Sequence, residues 1–566
     1  MRRRSPFANV LSQSASRNRS ARMTDRSTRR EFLARSALLA AGVSTVPLLR
    51  PASSLARSSV VSEDLVDGGE GLRRGSGRGV ALAPGAATLR ATREGGTFTS
   101  RVLQSSIEFT HVGLHWSAAV PPRAQLGFEL RTSPDGSSWS AWSAVHLKRL
   151  PGETPVGDYF AGLAYAGGAR FVQYRATFRP AGGAGPTLQR VTATVIASPA
   201  TAMSTSSTDQ LPTTPVQDAD SGRALALTSR EQWGANERYR FDRRGRELWP
   251  EMFVPARKLI VHHTATRNDY RDAAEAAAEV RAIYHYHAVT QRYGDIGYTA
   301  LIDRFGNVYE GRHGRGEGAG REYLSAGVVA GHDYGHNYGS AGIALLGDAT
   351  RAGWPMAAVT GPMWEALVRF GVFEAGRHHL PPLKADLLTA SASDFLRSDN
   401  VWTANMRNVS GHRETNNTAC PGEAVMALLD ELRVAVHSGL AGTSRTGVAL
   451  TNKAPGGRET TVGRAITYEW SAKPPESGWT LVGYEYCWEG WYKPARSINI
   501  TYLSGYTAEA QPRPVWTRVG PNTTGRTFTP ARAGQYTLHV RAILRNEITG
   551  AEQRSAYADS HTFLVR

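Results

Sequence analysis

Two separate stretches of the chain alternate apolar and polar residues. Between residues 96 and 198, Leu126, Phe128 and Leu130 share one face of a period-2 strand. Pro134-Asp135-Gly136 marks a turn, and Phe171-Val172-Gln173-Tyr174 opens a further strand. Between residues 450 and 566, Ile466, Tyr468 and Trp470 alternate, as do Tyr536, Leu538, Val540 and Ala542, with Gly534 as a turn before the second run. The stretch between them, residues 226–440, changes period. Lys258-Leu259-Ile260-Val261 is a short apolar strand running into His262, and Thr299–Ile302 and Gly342–Leu346 read as two more. Ala276, Val280, Ile283, Tyr284 and His287 fall on one helical face, with Asp269 as the expected N-cap. Val425, Leu428, Leu429, Leu432 and Val436 form a second amphipathic helix, with Gly439 expected to end it.

The pattern predicts a multidomain chain. A central α/β domain, a mixed β-sheet flanked by helices, lies between an N-terminal and a C-terminal β-sandwich-like domain, the latter immunoglobulin-like or fibronectin-like. Residues 57–95, rich in Gly, Ser, Arg and Ala, and residues 199–225, rich in Ser, Thr, Asp and Pro, read as linkers. In the N-terminal domain Trp116, Trp139 and Trp142 are either sugar-stacking residues or core and turn residues.

Length and composition agree with this division. The 566 residues suggest three or four domains, and 41% hydrophobic with 20% charged residues is an ordinary globular balance. The net charge of +17 is uneven: residues 1–56 hold eleven Arg against Asp25 and Glu31, and without them +8 remains. No basic stripe interleaved with aromatics stands elsewhere, so nucleic acid is not an expected partner. That basic leader has its own order. Ser27-Thr28-Arg29-Arg30-Glu31-Phe32-Leu33 precedes an apolar run from Ala37 to Leu49, and Ser54-Leu55-Ala56 offers small residues for cleavage. Residues 1–56 therefore read as a twin-arginine signal for export, with Met23 as a second candidate start. The apolar run is short for a bilayer, and no later stretch reads as a membrane span.

Chemistry concentrates in the central domain. The chain has 16 His and two Cys, Cys420 and Cys487, which either pair with each other or leave Cys420 as a metal ligand. His262 ends a strand, His412 lies eight residues before Cys420, and Cys420 precedes Pro421 and a helix. Two His and one Cys suit a zinc ion with one position open to water. The neighbour His263 competes with His262, because successive strand residues point to opposite faces, and spacing alone does not choose between them.

Several ordered motifs now accumulate: Ser229-Arg230-Glu231-Gln232-Trp233-Gly234-Ala235; Ile260-Val261-His262-His263-Thr264-Ala265-Thr266; His287 with Tyr293-Gly294-Asp295-Ile296-Gly297-Tyr298; Ile302 to Arg312; Ala330-Gly331-His332 with Asn337 and Ser340; Gly411-His412-Arg413-Glu414; and Thr418-Ala419-Cys420-Pro421-Gly422. Over residues 226–440 the chain resembles the type 2 N-acetylmuramoyl-L-alanine amidases, the family that includes peptidoglycan recognition proteins and phage lysozyme amidases. The resemblance implies that His262, His412 and Cys420 ligate Zn2+. It implies that Tyr298 is the catalytic tyrosine, and that Thr418 stands where recognition-type amidases have Thr and phage ones Lys. His287, His332, Arg312 and Asn337 become candidates for the groove that binds the muramyl peptide; for His287 and His332 a structural, hydrogen-bonded role is the competing reading. Cys420 implies turnover, because members that only bind typically lack that ligand.

The expected activity is therefore exported, zinc-dependent hydrolysis of the bond between N-acetylmuramic acid and L-alanine in peptidoglycan, in the cell envelope or outside it, with the β domains tethering the enzyme to the wall. The alternatives are a recognition receptor without turnover and a wall-adhesive protein. Two departures stand out. Arg312 is followed by His313-Gly314 rather than the family's Gly-Trp, and the stretches Gly314–Val329 and Leu380–Asn408 are longer than the family pattern.

Overall fold

The computed structural model describes residues 60–82, 88–149, 158–200, 209–218, 222–253, 256–350, 359–389, 402–416, 418–441, 448–450, 459–475, 477–491, 516–531, 534–559 and 563–565. The leader, residues 1–56, lies outside the described residues, as does the middle of the Leu380–Asn408 insertion. No described helix is long and apolar enough to cross a membrane.

The N-terminal region is one hydrogen-bonded sheet of eleven strands. Its two longest strands, Leu103–Ala119 and Tyr159–Arg179, pair antiparallel from Tyr159↔Trp116 to Val172↔Leu103. Beyond Phe171 the longer strand changes partners, so that Arg175 faces Glu129 on one side and Thr99 on the other. A strand with two sets of neighbours has to bend, and the sheet closes over one core that holds Phe109, Trp116, Phe128, Tyr174 and Val195. Trp116 is thus a core residue, its ring 4.3 Å from that of Phe128. The Arg131 guanidinium lies over the rings of Trp139 and Trp142, at 4.6 and 4.7 Å, and Trp139 Nε1 donates to the Gly136 carbonyl in the expected turn.

The described residues of the stretch 57–95 are not a linker. Val61–Gly68 pairs residue for residue with Arg190–Ala197, and short strands at Ser76–Arg78, Val80–Leu82 and Leu89–Ala91 extend the same sheet. Among the described residues there, the buried apolar ones are Leu65, Leu72 and Leu89, too sparse a set to show a period, and the partner strand is remote in sequence. The second presumed linker also changes character at its end. Thr214–Gln217 pairs with Ala224–Leu227, and Leu225 and Leu227 enter the central core.

The central domain is an α/β fold on a five-stranded mixed sheet. In spatial order its strands are Val308–Glu310, Ala300–Ile302, Ser340–Leu345, Lys258–His263 and Val409–Gly411, parallel except at the first pair. Leu259, Val261, Ile343 and Leu345 pack against helices Gly361–Arg377 and Leu429–Ala441, while Ala344 and Leu301 pack against helix Ala273–His285. The cap of that last helix is Asp272, whose carboxylate accepts from Glu275 N at 2.8 Å, and not Asp269. Residue type favoured both aspartates equally, and the backbone turn chose between them. Gly439 does not end its helix either: it lies inside Leu429–Ala441, against Val372 of the neighbouring helix.

The C-terminal region holds a three-stranded and a six-stranded sheet. Tyr468, Trp470, Tyr484, Leu538 and Val540 share one core between them. Gly534 is the first paired residue of its strand, opposite Val565, rather than a turn.

Candidate metal centre

Register brings two histidines together. Lys258–His263 and Val409–Gly411 run parallel with Val261 opposite Gly411, so His262, still in its strand, and His412, just past the end of its own, stand side by side. Their ring centroids are 4.4 Å apart. The alternation that left His262 and His263 open is settled by packing. Leu259 and Val261 face the paired helices, so His262 projects from the opposite face with Ile260. His263 Nδ1 instead accepts from Ala349 N at 3.1 Å. Cys420 completes the group: its Sγ is 3.7 Å from His262 Nδ1, and it accepts from His263 N at 3.4 Å.

The ligand atoms of His262, His412 and Cys420 all lie within 4.8 Å of one another. Nitrogen and sulfur bound tetrahedrally to one zinc ion stand about 3.6 Å apart, so the set fits that ion and leaves a fourth position. Cys420 and Cys487 are both free, which removes the disulfide alternative. Burial pushes the Cys420 thiol up to about 11, against the opposing charge of Lys148. A dication among these atoms reverses that balance and holds sulfur as thiolate.

Each histidine has its own support. His262 Nε2 is 2.9 Å from His332 Nδ1, and His332 Nε2 is 3.3 Å from Ser340 Oγ. The Ser340 hydroxyl donates to the His336 carbonyl at 2.6 Å, so its oxygen accepts from His332 Nε2–H. His332 Nδ1 then accepts from His262 Nε2–H, which leaves the His262 Nδ1 lone pair for a metal. Space for the relay comes from Gly342, where a Cβ would stand 2.3 Å from the His332 ring.

On the other side His412 Nε2 lies 3.7 Å from Asp333 Oδ1. Asp333 is fully buried and gathers the His412 loop: Thr415 Oγ1 donates to it at 2.7 Å, and Asn416 Nδ2 donates to its second oxygen. Burial would raise this carboxyl, but the His336 and His412 imidazoles, each 3.7 Å from Oδ1, hold it below its ordinary value.

Tyr298 is half-buried, with its ring centroid 5.6 Å from those of both His262 and His287. His287 Nδ1 accepts from Gly297 N at 3.2 Å, which orients its ring beside Tyr298. His287 sits in a π-helical turn, Tyr286–Thr290, that follows helix Ala273–His285. Thr418 Oγ1 accepts from Cys420 N at 3.2 Å, so its hydroxyl proton is directed elsewhere.

Three residues expected in the groove are buried. His332 stands behind His262. Arg312 is 0% exposed, with Nη1 on Asp295 at 2.7 Å, Nη2 on the Trp249 carbonyl, and its guanidinium 4.2 Å over the Trp249 ring. Asn337 is buried with Oδ1 accepting from Asp333 N at 2.9 Å. Motif spacing marks such positions but says nothing of their depth. The opening motif is likewise structural: Ser229 and Gln232 form a reciprocal cap, and Arg230 pairs with Asp295 at 2.8 Å. Asp333, which the sequence reading passed over, had one signal, a carboxylate placed directly after His332 and shortly before His336.

Residues 252–423 match the family model of N-acetylmuramoyl-L-alanine amidase, Amidase_2. Human N-acetylmuramoyl-L-alanine amidase is 31% identical over 206 residues, 36% of this chain and 28% of that protein. Mouse peptidoglycan recognition protein 3 is 30% identical over 122 residues, 22% of this chain and 29% of its own length. A peptidoglycan-recognition protein of Drosophila melanogaster is 28% identical over 184 residues, 32% of this chain and 76% of its own. The chain spans less than a third of the first of these curated relatives.

Proposed function

We propose that this chain, whose central domain belongs to the N-acetylmuramoyl-L-alanine amidase and peptidoglycan recognition family, is a zinc-dependent amidase. It cuts the amide between N-acetylmuramic acid and L-alanine in peptidoglycan. The observation that carries this reading is the convergence of His262, His412 and Cys420 within 4.8 Å, with His332 behind His262 and Asp333 holding the His412 loop. The twin-arginine pattern at Arg29-Arg30 supports passage of the precursor through the twin-arginine machinery to the envelope or beyond.

When bound, zinc supplies a Lewis acid for the amide carbonyl and brings the pKa of a water to about 7. The chain supplies the rest. His332 and Ser340 fix the tautomer of His262, and Asp333 holds the His412 loop, so the three donors need no rearrangement. Attack on the amide carbon places negative charge on its oxygen. The Tyr298 phenol, beside His262, donates a hydrogen bond to that charge, and the Thr418 hydroxyl does so from the Cys420 side. His287 lines the groove next to Tyr298.

The test uses the full chain and its Cys420→Ser variant on purified peptidoglycan, with and without a chelator. Mass spectrometry reads stem peptides with L-alanine amino termini. The amidase reading expects them only from the wild type with metal. A wild type that holds the polymer and releases nothing under any metal condition is a receptor instead.

A further inference from the structure

The N-terminal domain grips the helix Ala273–His285 along its length. Ser198 Oγ donates to the Ala278 carbonyl at 2.8 Å, His111 Nε2 lies 3.0 Å from the Glu279 carboxylate, and His285 Nε2 is 2.8 Å from Ser62 Oγ. Phe160, Leu163 and Ile196 of that domain share one core with Ala276, Val280, Ile283 and Tyr284 of the helix. Common apolar packing of this kind fixes two domains against each other, as a flexible linker does not.

The same domain also holds the end of the helix. Tyr286 opens the π turn Tyr286–Thr290 and is buried. Its hydroxyl donates to the Ala161 carbonyl at 3.0 Å, and its ring stands edge-on to Phe160 at 6.3 Å. The ring presses on Gly113, where a Cβ would lie 2.4 Å from Cε2 and 2.6 Å from Cζ. Gly113 is paired on both sides, with Leu163 and with Thr194, so its backbone has no room to retreat. It lies in the interior of a long strand and has no positive φ, so the missing side chain serves the approach of Tyr286 and not a turn.

The next residue in the turn is His287. Gln291 N donates to the Tyr286 carbonyl at 2.9 Å, and Tyr293 N donates to the His287 carbonyl at 3.0 Å. The His287 imidazole accepts from Gly297 N, the amide just before Tyr298, and its ring centroid is 5.6 Å from that of Tyr298. π turns are rare and short, so packing has to hold one in place. Here Gly113, Ala161 and Phe160 of the N-terminal domain supply that packing.

We propose that Tyr286 is a positioning residue of the amidase centre: seated in the N-terminal domain, it sets the π turn that places His287 and, through the Gly297 amide, Tyr298. The inference rests on the amidase reading. It makes the N-terminal domain part of the catalytic framework. Tyr286 touches no reacting atom. It acts on the geometry in which the Tyr298 phenol meets the charge on the attacked carbonyl oxygen, and that geometry matters most at the transition state.

The test is Gly113→Ala in the full chain, a change in the N-terminal domain that pushes on the Tyr286 ring and alters no residue of the centre. Tyr286→Phe, which removes only the hydrogen bond to Ala161, is the second variant. Val172→Ala, in the N-terminal core that Tyr286 does not enter, is the stability control. Gly113→Ala is expected to lower kcat by about tenfold with KM and zinc content unchanged. It should also shift the His287 ring resonances of histidine-labelled protein, assigned with His287→Asn. Tyr286→Phe should move both readouts in the same direction by less. Val172→Ala should lower the melting temperature and keep kcat and the resonances. An active wild type whose Gly113→Ala and Tyr286→Phe variants keep kcat, or lose it with the His287 resonances unmoved or only together with zinc, overturns the inference and leaves the amidase reading standing. If Gly113→Ala does not fold, Tyr286→Phe decides in the same way. A wild type that releases no peptide overturns both.

Discussion

His262 and His412 bring the same side chain to the same centre and are held there by different physics. His262 projects from an interior strand paired on both sides and is fixed by a neutral relay through His332 to Ser340. His412 starts a short helical turn beyond an edge strand and depends on the buried, ionised Asp333 that collects its loop. The strand position is rigid by backbone pairing, so its support only has to choose a tautomer. The loop position has no such frame, so its support also has to hold the backbone, and a full charge does this more strongly than a neutral donor.

The largest expected effect would break the symmetry of the two ligands. His262→Ala and His412→Ala should both lose zinc, read by metal analysis. In the presence of chelator, only His262→Ala should remain strongly destabilised, by about 2–4 kcal/mol in denaturant unfolding, because it empties a buried site and strands His332. Equal stabilities of the two variants would mean that the strand and loop positions do not differ as described. Next is Asp333→Asn, which keeps shape but removes the charge. A loss of zinc affinity near the upper end of about 10–100-fold is expected by competition titration, with faster proteolysis of the His412–Cys420 loop.

A smaller loss, about tenfold in zinc affinity, is expected for His332→Asn, since the strand still places His262. Gly342→Ala should reproduce it by pushing on the His332 ring from the sheet side. A greater loss from His332→Asn than from Asp333→Asn would reverse the comparison. Ser340→Ala should be mildest, about 1 kcal/mol in stability with activity nearly kept, because only the far end of the relay is removed.

Much of this centre was legible in the chain. The donors His262, His412 and Cys420 were distinguishable by residue type and by the motifs around them, and the strand before His262 by its apolar run. Arg312, Asn337 and His332 were recognisable as motif positions but not as buried ones, because a buried polar side chain and an exposed one leave the same trace in sequence. The strand Val61–Gly68 was missed for a related reason: few of its side chains are buried, and its pairing with Arg190–Ala197 leaves no local period.

What the sequence determined by itself is local: the periods of strands and helices, the chemistry of the donors, and the rule that only one of two adjacent strand histidines can face a given side. Tertiary structure decided which histidine that was, because the packing of Leu259 and Val261 against two helices assigns the faces of the strand. It also decided that Asp333 lies behind His412. Side-chain period follows from backbone geometry residue by residue, whereas proximity across strands and domains exists only after the sheets have paired and docked.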